Sequence, residues 1–305
     1  MNETRRILEK HGCPGHDFPD APASAKRFPD GAQYRIEIPS TEGPGPLHAV
    51  MDEAARRSVP IHRVSQGSGI MLLTDDEIRE MVRIGRANDI EINLFVGPRA
   101  TFDIGAQVVS GSGKAIGLSL RGVDQLVYAL EDVKRAIELG IRSILVSDIG
   151  LLAVMGRMKR AGDLPSELII KTSVMMAPAN PAASRVLEDL GATTINVPSD
   201  LTLPQLAAIR AAIDAPIDLY VEAPDNIGGF IRHYEVPDFI RVCAPLYVKL
   251  GLRNAPDVYP SGTHVEDTVI KLSRERVRRA ALVCDMIKRH YPEAVMSARP
   301  ALALR

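Results

Sequence analysis

The stretch LIIKTSVMMAPANPAASRVLEDLGATTINVPSDLTLPQLAAIRAAIDAPIDLYVE, Leu168–Glu222, decides the fold. It reads as three short apolar runs, Leu168–Ser173, Thr193–Val197 and Ile217–Glu222, separated by two segments with helix punctuation. Pro181 opens the first helix, which stops at Leu190-Gly191, and Leu203-Pro204 opens the second, which reaches Ile213. Proline suits a first turn because the N–H it lacks would have no partner there, and a glycine just past the end accepts the left-handed conformation that closes a helix. Short strands joined by helices of this length imply parallel pairing, because a hairpin cannot connect parallel neighbours.

The same alternation extends outward from this stretch in both directions. Further strands are expected at Tyr34–Ile38, Ile61–Ser65, Ile90–Val96, Arg142–Ser147 and Leu246–Gly251, which brings the number to eight. Thr74-Asp75-Asp76-Glu77 ahead of Ile78, Met81, Val82 and Ile84 has the form of a capping box with acids in the first helical turn. Eight βα units in about 250 residues match a (β/α)8 TIM-type barrel; an open doubly wound sheet is the alternative. The expected organisation is an irregular, Pro-rich N-terminal arm at 1–33, a single barrel domain at 34–262, and a C-terminal segment at 263–305 packing on the barrel, with one long Arg-rich helix over Thr263–His290. A long Gly/Ser-rich connection, 97–121, follows the third strand, and loops of this length usually carry function.

Composition narrows the function classes. The 305 residues carry 37 Lys+Arg against 38 Asp+Glu, a net charge of -1, so no nucleic-acid footprint is expected. Trp is absent and aromatics make up 4%, which argues against a stacking platform for sugars or single strands and leaves small polar ligands open. Cys13, Cys243 and Cys284 are odd in number and far apart, unlike a disulfide framework or a zinc or iron-sulfur site, and imply a reducing, cytoplasmic setting. The expectation is a protein with no export signal and no membrane span.

Strands buried on both faces should be almost wholly apolar, yet every strand here carries a polar residue late in its run. These are Glu37, Arg63, Asn93, Asp148, Lys171, Asn196, Glu222 and Lys249. A buried polar group is costly unless paired, and catalytic groups in this architecture gather at the C-terminal strand ends. The ring is therefore the expected site, with internal ion pairing, such as Glu37 with Lys249, as the competing explanation. Glu37, Asp148, Lys171, Glu222 and Lys249 are the catalytic candidates. Arg63, Asn93, Arg99, Asn196, Asn226 and Arg253 are the substrate-binding candidates. Glu37, His62, Asp148 and Glu222 are the candidate ligands should a divalent metal bind, although their spacing is not diagnostic and the cofactor stays unassigned.

Gly67-Ser68-Gly69, the run SGSGK at 110–114 and Asn226-Ile227-Gly228-Gly229 can expose backbone N–H groups to an anion. SGSGK lacks the spacing of a phosphate-binding P-loop. The asparagine-glycine turn has more weight, because phosphate sites in these barrels are commonly built after strands seven and eight. His233 and His264 follow those same strands. No nucleophile elbow is present.

Lys171–Ala223 resembles the collagenase-like peptidases of peptidase family U32. The shared pattern is a strand, an Asn-containing turn at Asn180, a helix ending in Leu190-Gly191-Ala192, a strand, a helix start at Ser199-Asp200-Leu201-Thr202-Leu203, and a strand ending in Tyr220-Val221-Glu222. The resemblance implies a barrel-type catalytic domain with a hydrolase activity; some members of the family instead modify RNA or quinone precursors with an iron-sulfur cluster. Residues 223–229 contain no Cys and Cys243 stands alone, so a cluster is not expected, and Ser199-Asp200 replaces the family's Arg-Glu.

The leading expectation is thus a barrel hydrolase for a small polar or peptide-like substrate, with Glu222 or Glu37 as general base, Lys171 and Lys249 stabilising an oxyanion, and Arg63 or Arg99 holding a carboxylate. One alternative is a carbon-carbon lyase or aldolase that forms an imine on Lys171 or Lys249. Another is a non-catalytic barrel subunit whose charges satisfy one another. The arm and the long terminal helix also make a homo-oligomer an expected state.

Overall fold

The computed structural model describes residues 2–97 and 118–298. Among these residues are eight strands: β1 (Tyr34–Pro39), β2 (Arg63–Gln66), β3 (Glu91–Phe95), β4 (Ser143–Val146), β5 (Ile169–Thr172), β6 (Ile195–Asn196), β7 (Ile217–Glu222) and β8 (Leu246–Leu250). The helices described are α1 (Asn2–Lys10), α2 (Pro44–Arg57), α3 (Asp75–Ala87), α4 (Gly122–Glu138), α5 (Ile149–Ala161), α6 (Pro181–Asp189), α7 (Leu203–Ala212), α8 (Val236–Cys243) and α9 (Glu266–His290). None of them is long and apolar enough to cross a membrane.

All pairings are parallel, in the order β5-β4-β3-β2-β1-β8-β7-β6. The two ends of that order meet: Lys171 forms a parallel bridge with Thr194, the Thr172 N–H donates to the Thr194 carbonyl (3.1 Å) and the Thr193 N–H donates to that of Ile170 (2.8 Å). The chain is therefore a single-domain (β/α)8 barrel and not an open doubly wound sheet, in which β5 and β6 would remain edges. Local chemistry sets the helix starts as expected. Thr74 and Glu77 form a reciprocal capping box on α3, Thr202 and Gln205 form another on α7, and Asn180 caps α6 ahead of Pro181.

Along each strand successive side chains point to opposite faces. Ile36, Ile38, Val64, Leu94, Ile144, Ile170, Leu219 and Val248 belong to the apolar layer between strands and helices. Their alternate neighbours point into the lumen, and most of these are polar.

The N-terminal end of the lumen is sealed by both chain ends. Phe28 of the arm stands edge-on to the Tyr247 ring (5.3 Å) with the Arg35 guanidinium over its face (4.2 Å). From the other terminus, Ser297 accepts from Arg35 Nε (2.9 Å), and its carbonyl faces His62 Nε2 (3.0 Å). The arm is not irregular throughout, because residues 2–10 form α1.

One glycine fixes how closely two helices approach. A Cβ on Gly156 of α5 would lie 1.9 Å from the Leu190 carbonyl oxygen at the end of α6. Gly156→Ala is expected to lower stability by about 3 kcal/mol through this overpacking, measured by urea unfolding.

Candidate functional site

The lumen holds an ion network stacked in layers. Arg63 lies at its centre, fully buried, with Nε donating to Glu91 (2.7 Å), Nη1 donating to Asp218 (2.8 Å) and to Glu37 (3.3 Å), and the guanidinium 3.5 Å from the Tyr247 ring centroid. Towards the C-terminal strand ends, Glu37 takes the Lys171 ammonium on one oxygen and, on the other, accepts from Ser65 Oγ (2.8 Å) and faces Lys249 (3.4 Å). Asn93 donates to Ser143 Oγ (2.6 Å), which donates onward to Glu91 (2.6 Å). The Asn196 amide, turned so that both its ends are satisfied, accepts from Lys249 Nζ (3.0 Å) and donates to the Asp218 carbonyl (3.2 Å).

Four buried cations, Arg35, Arg63, Lys171 and Lys249, thus share the lumen with three buried carboxylates, Glu37, Glu91 and Asp218. The surplus positive charge shapes the titration of the group. Burial disfavours ionisation of Glu37, but Lys171, Lys249 and Arg63 outweigh it and hold the carboxyl well below the usual range. Burial pushes Asp218 up. Burial would also lower Lys249, yet Glu37, Tyr220 and Asp218 keep it above the ordinary lysine value. Lys171 moves the other way: burial, with the neighbouring cations Lys249 and Arg63, lowers it to about 7 against the pull of Asp218 and Glu37. A neutral Lys171 leaves three cations facing three carboxylates.

The network gathers Glu37, Arg63, Asn93, Lys171, Asn196 and Lys249, but three of the predicted catalytic and metal-binding residues lie elsewhere. Asp148 caps α5, accepting from the Leu151 N–H (2.8 Å) and from the Leu120 N–H (3.0 Å). A β-bulge between Tyr220 and Glu222 sets Glu222 opposite Leu250, on the strand face that packs against helices. Its carboxylate there meets His233 Nε2 (3.1 Å), the Arg253 N–H (3.1 Å) and, more distantly, Arg279 of α9 (3.9 Å). His62 lies at the barrel floor, its Nδ1 accepting from the Ile36 N–H (3.1 Å). The four metal candidates are therefore dispersed, and among the described residues no group of three or more His, Cys, Asp or Glu is arranged to hold a metal ion. Arg99 and SGSGK lie outside the described residues.

Above the network, at the C-terminal ends of β1, β7 and β8, is a cavity of about 270 Å3. Pro39, Ser40, Tyr220, Asn226, Tyr259 and Arg276 are among its walls, and Asp225 and Asp257 lie at its rim. Tyr220 joins it to the network, since the Lys249 ammonium sits 4.2 Å from the Tyr220 ring centroid. Ser40 adopts a left-handed backbone (φ 57°), a conformation uncommon for serine, and shares a hydrogen bond with the Tyr259 hydroxyl. Asp225 is engaged by Arg253 (3.4 Å) and by the Asn254 N–H. A larger recess of about 370 Å3, lined by Val82, Ile90, Ile92 and Ile141, opens at the opposite, N-terminal end of β3 and β4, where Glu91 and Ser143 of the network also reach its wall.

Residues 120–223, from the start of α4 to the end of β7, match the sequence profile of peptidase family U32. Over that stretch the chain is similar to this family. Comparison with curated proteins gave no match. A solved U32 peptidase is 17% identical, with TM-score 0.41, over 68% of this chain and 74% of its own. A Coccidioides immitis protein provisionally named fructose-1,6-biphosphate aldolase is 15% identical, with TM-score 0.51, over 86% of this chain and 92% of its own. At that identity the likeness speaks for the barrel fold alone.

Sequence reasoning missed Asp218, Tyr220, Tyr259 and Arg276. Asp218 and Tyr220 alternate with Ile217, Leu219 and Val221, a period-two signal for inward-facing polar side chains. Arg276 falls on the stripe of α9 that includes Val269, Ser273, Ala280 and Val283, so its place in the helical period was legible.

Two outcomes follow from the network. Glu37→Gln leaves Lys171 and Lys249 without their shared counter-charge and is expected to cost about 4 kcal/mol in urea unfolding. The unfolded chain keeps the Lys171 proton up to its ordinary value of 10.5 whereas the folded barrel releases it near 7, so this residue makes stability rise with pH. Between pH 7 and 8.5 the gain is roughly 1.5 kcal/mol, and Lys171→Met should remove it.

Proposed function

We propose that the protein is a hydrolase acting on a small polar, peptide-like substrate bound in the cavity at the barrel mouth. The observation that carries this reading is the position of that cavity, at the catalytic end of a U32-like barrel and in contact through Tyr220 with buried Lys249, whose charged form is favoured by Glu37. Tyr220 and Ser40 offer hydroxyl donors to the oxygen that gains charge when water attacks the substrate carbonyl, and Lys249 behind Tyr220 favours that charge electrostatically. Asp257, at the cavity rim, accepts only the Tyr259 N–H (3.0 Å) in its own loop and has no cationic partner among the described residues. It is the carboxylate best placed to take the proton from water. Glu37 and Arg63 are held beneath this layer by their own partners, so neither reaches the substrate.

The imine route has less support. Lys171 is fully buried against Glu37 and does not line the cavity, and Lys249 is held in its charged form, which is not nucleophilic. A non-catalytic role has one observation in its favour, the mutual pairing of the lumen charges.

Assay of the purified protein against a panel of small peptides, amides and esters separates these readings. Hydrolysis is expected, with kcat reduced about 100-fold in Asp257→Asn and in Tyr220→Phe at unchanged melting temperature. Absence of turnover across the panel would leave the non-catalytic reading, and a protein adduct trapped by borohydride with a carbonyl substrate would favour the lyase.

A further inference from the structure

Arg276 projects from the middle of α9 into the wall of the mouth cavity. Its side chain is nearly inaccessible, 4% exposed, yet Nε and Nη1 have no hydrogen-bond partner. An ionised guanidinium rarely stays buried with unmet donors, because desolvation then goes uncompensated. Burial accordingly pulls its pKa below the ordinary arginine value.

The nearby acids do not meet this demand. Glu42 accepts the Gly67 N–H (2.8 Å) and the Ser68 N–H (2.9 Å). Glu222 accepts the Arg253 N–H, faces His233 and acts on Arg276 through its charge without a hydrogen bond to it; Asp225 is paired with Arg253, and Asp257 forms no ion pair with Arg276 among the described residues. Around the guanidinium the cavity wall supplies hydroxyls, from Ser40, Tyr220 and Tyr259, and the amide of Asn226. A planar fork of donors with hydroxyls and an amide beside it, and with the cavity's carboxylates out at the rim, is suited to one small anionic group.

We propose that Arg276 is the anchor of an anion subsite in the mouth cavity, holding a carboxylate or phosphate group of the ligand. This rests on the reading of the cavity as the substrate site and specifies its substrate class as anionic. The group would lie between the guanidinium and the Ser40 and Tyr220 hydroxyls, with the rest of the molecule extending towards Asn226.

Isothermal titration of the full chain with inorganic phosphate and, separately, with glutarate tests the subsite without requiring turnover. Binding of one or both is expected, weakened about tenfold or more in Arg276→Gln, partly retained in Arg276→Lys, and little changed in Arg278→Gln, a half-exposed residue of the same helix that is paired with Glu275 and does not line the cavity. Preference for phosphate or for glutarate identifies the anion. Equal binding by wild type and Arg276→Gln overturns the proposal, as does wild type that binds neither anion. Should Arg276→Gln fail to melt cooperatively, a crystal of the wild type soaked in phosphate decides: density on the guanidinium supports the subsite, and density only elsewhere overturns it. Anion binding without hydrolysis of any substrate would keep the subsite and remove the hydrolase, whereas hydrolysis without anion binding would do the reverse.

Discussion

The barrel is organised around the contact of Arg63 with three carboxylates drawn from three other strands. Glu91 reaches it from β3, Asp218 from β7 and Glu37 from β1, and the Tyr247 ring of β8 covers its face. An arginine cannot shed its charge to escape a dry interior, so closing the barrel requires that these groups arrive together. In return, the register of β1, β2, β3, β7 and β8 is tied to one point, and a slip of one residue in any of them would send its polar side chain among the helices. Stability is thereby exchanged for uniqueness. A hydrocarbon-filled lumen could be as stable, but it would not discriminate between registers so sharply.

Much of this was written in the linear pattern. Eight apolar runs, the helix punctuation at Thr74, Pro181 and Leu203-Pro204, and a polar residue in each strand were sufficient to predict the barrel and to draw Glu37, Arg63, Asn93, Lys171, Asn196 and Lys249 to a common centre. The failures have separate physical causes. Glu222 looks like the end of an alternating strand, but the bulge beside Tyr220 reverses its facing, and a bulge leaves no signature in composition. Asp148 follows an apolar run just as the others do, yet it is the second residue after its strand and caps the next helix. The helix at residues 2–10 makes few contacts that a pattern could betray, its side chains being exposed along most of its length.

The network and the cavity above it play complementary parts. Below Tyr220 each charged residue has an oppositely charged neighbour; above it are hydroxyls, one buried cation with unmet donors, and loops that follow β7 and β8. Lys249 stands at the boundary. Its charge is fixed by Glu37 from beneath, and its field is felt through the Tyr220 ring. A preorganised charge of this kind does not need to reorient when a reaction proceeds in the cavity, which is the condition under which electrostatic stabilisation is most effective.

The seal at the barrel floor has a consequence for the order in which the chain assembles. The partner of the Arg35 Nε on the first strand, Ser297, emerges 262 residues later in synthesis. The β1–β2 pair can form early on a nascent chain, with Phe28 already available to cover Arg35, but the Nε hydrogen bond waits until β8 and α9 have been made. The floor is therefore completed only after all eight strands exist, and a chain interrupted before Ser297 would carry complete βα units around an unfinished base.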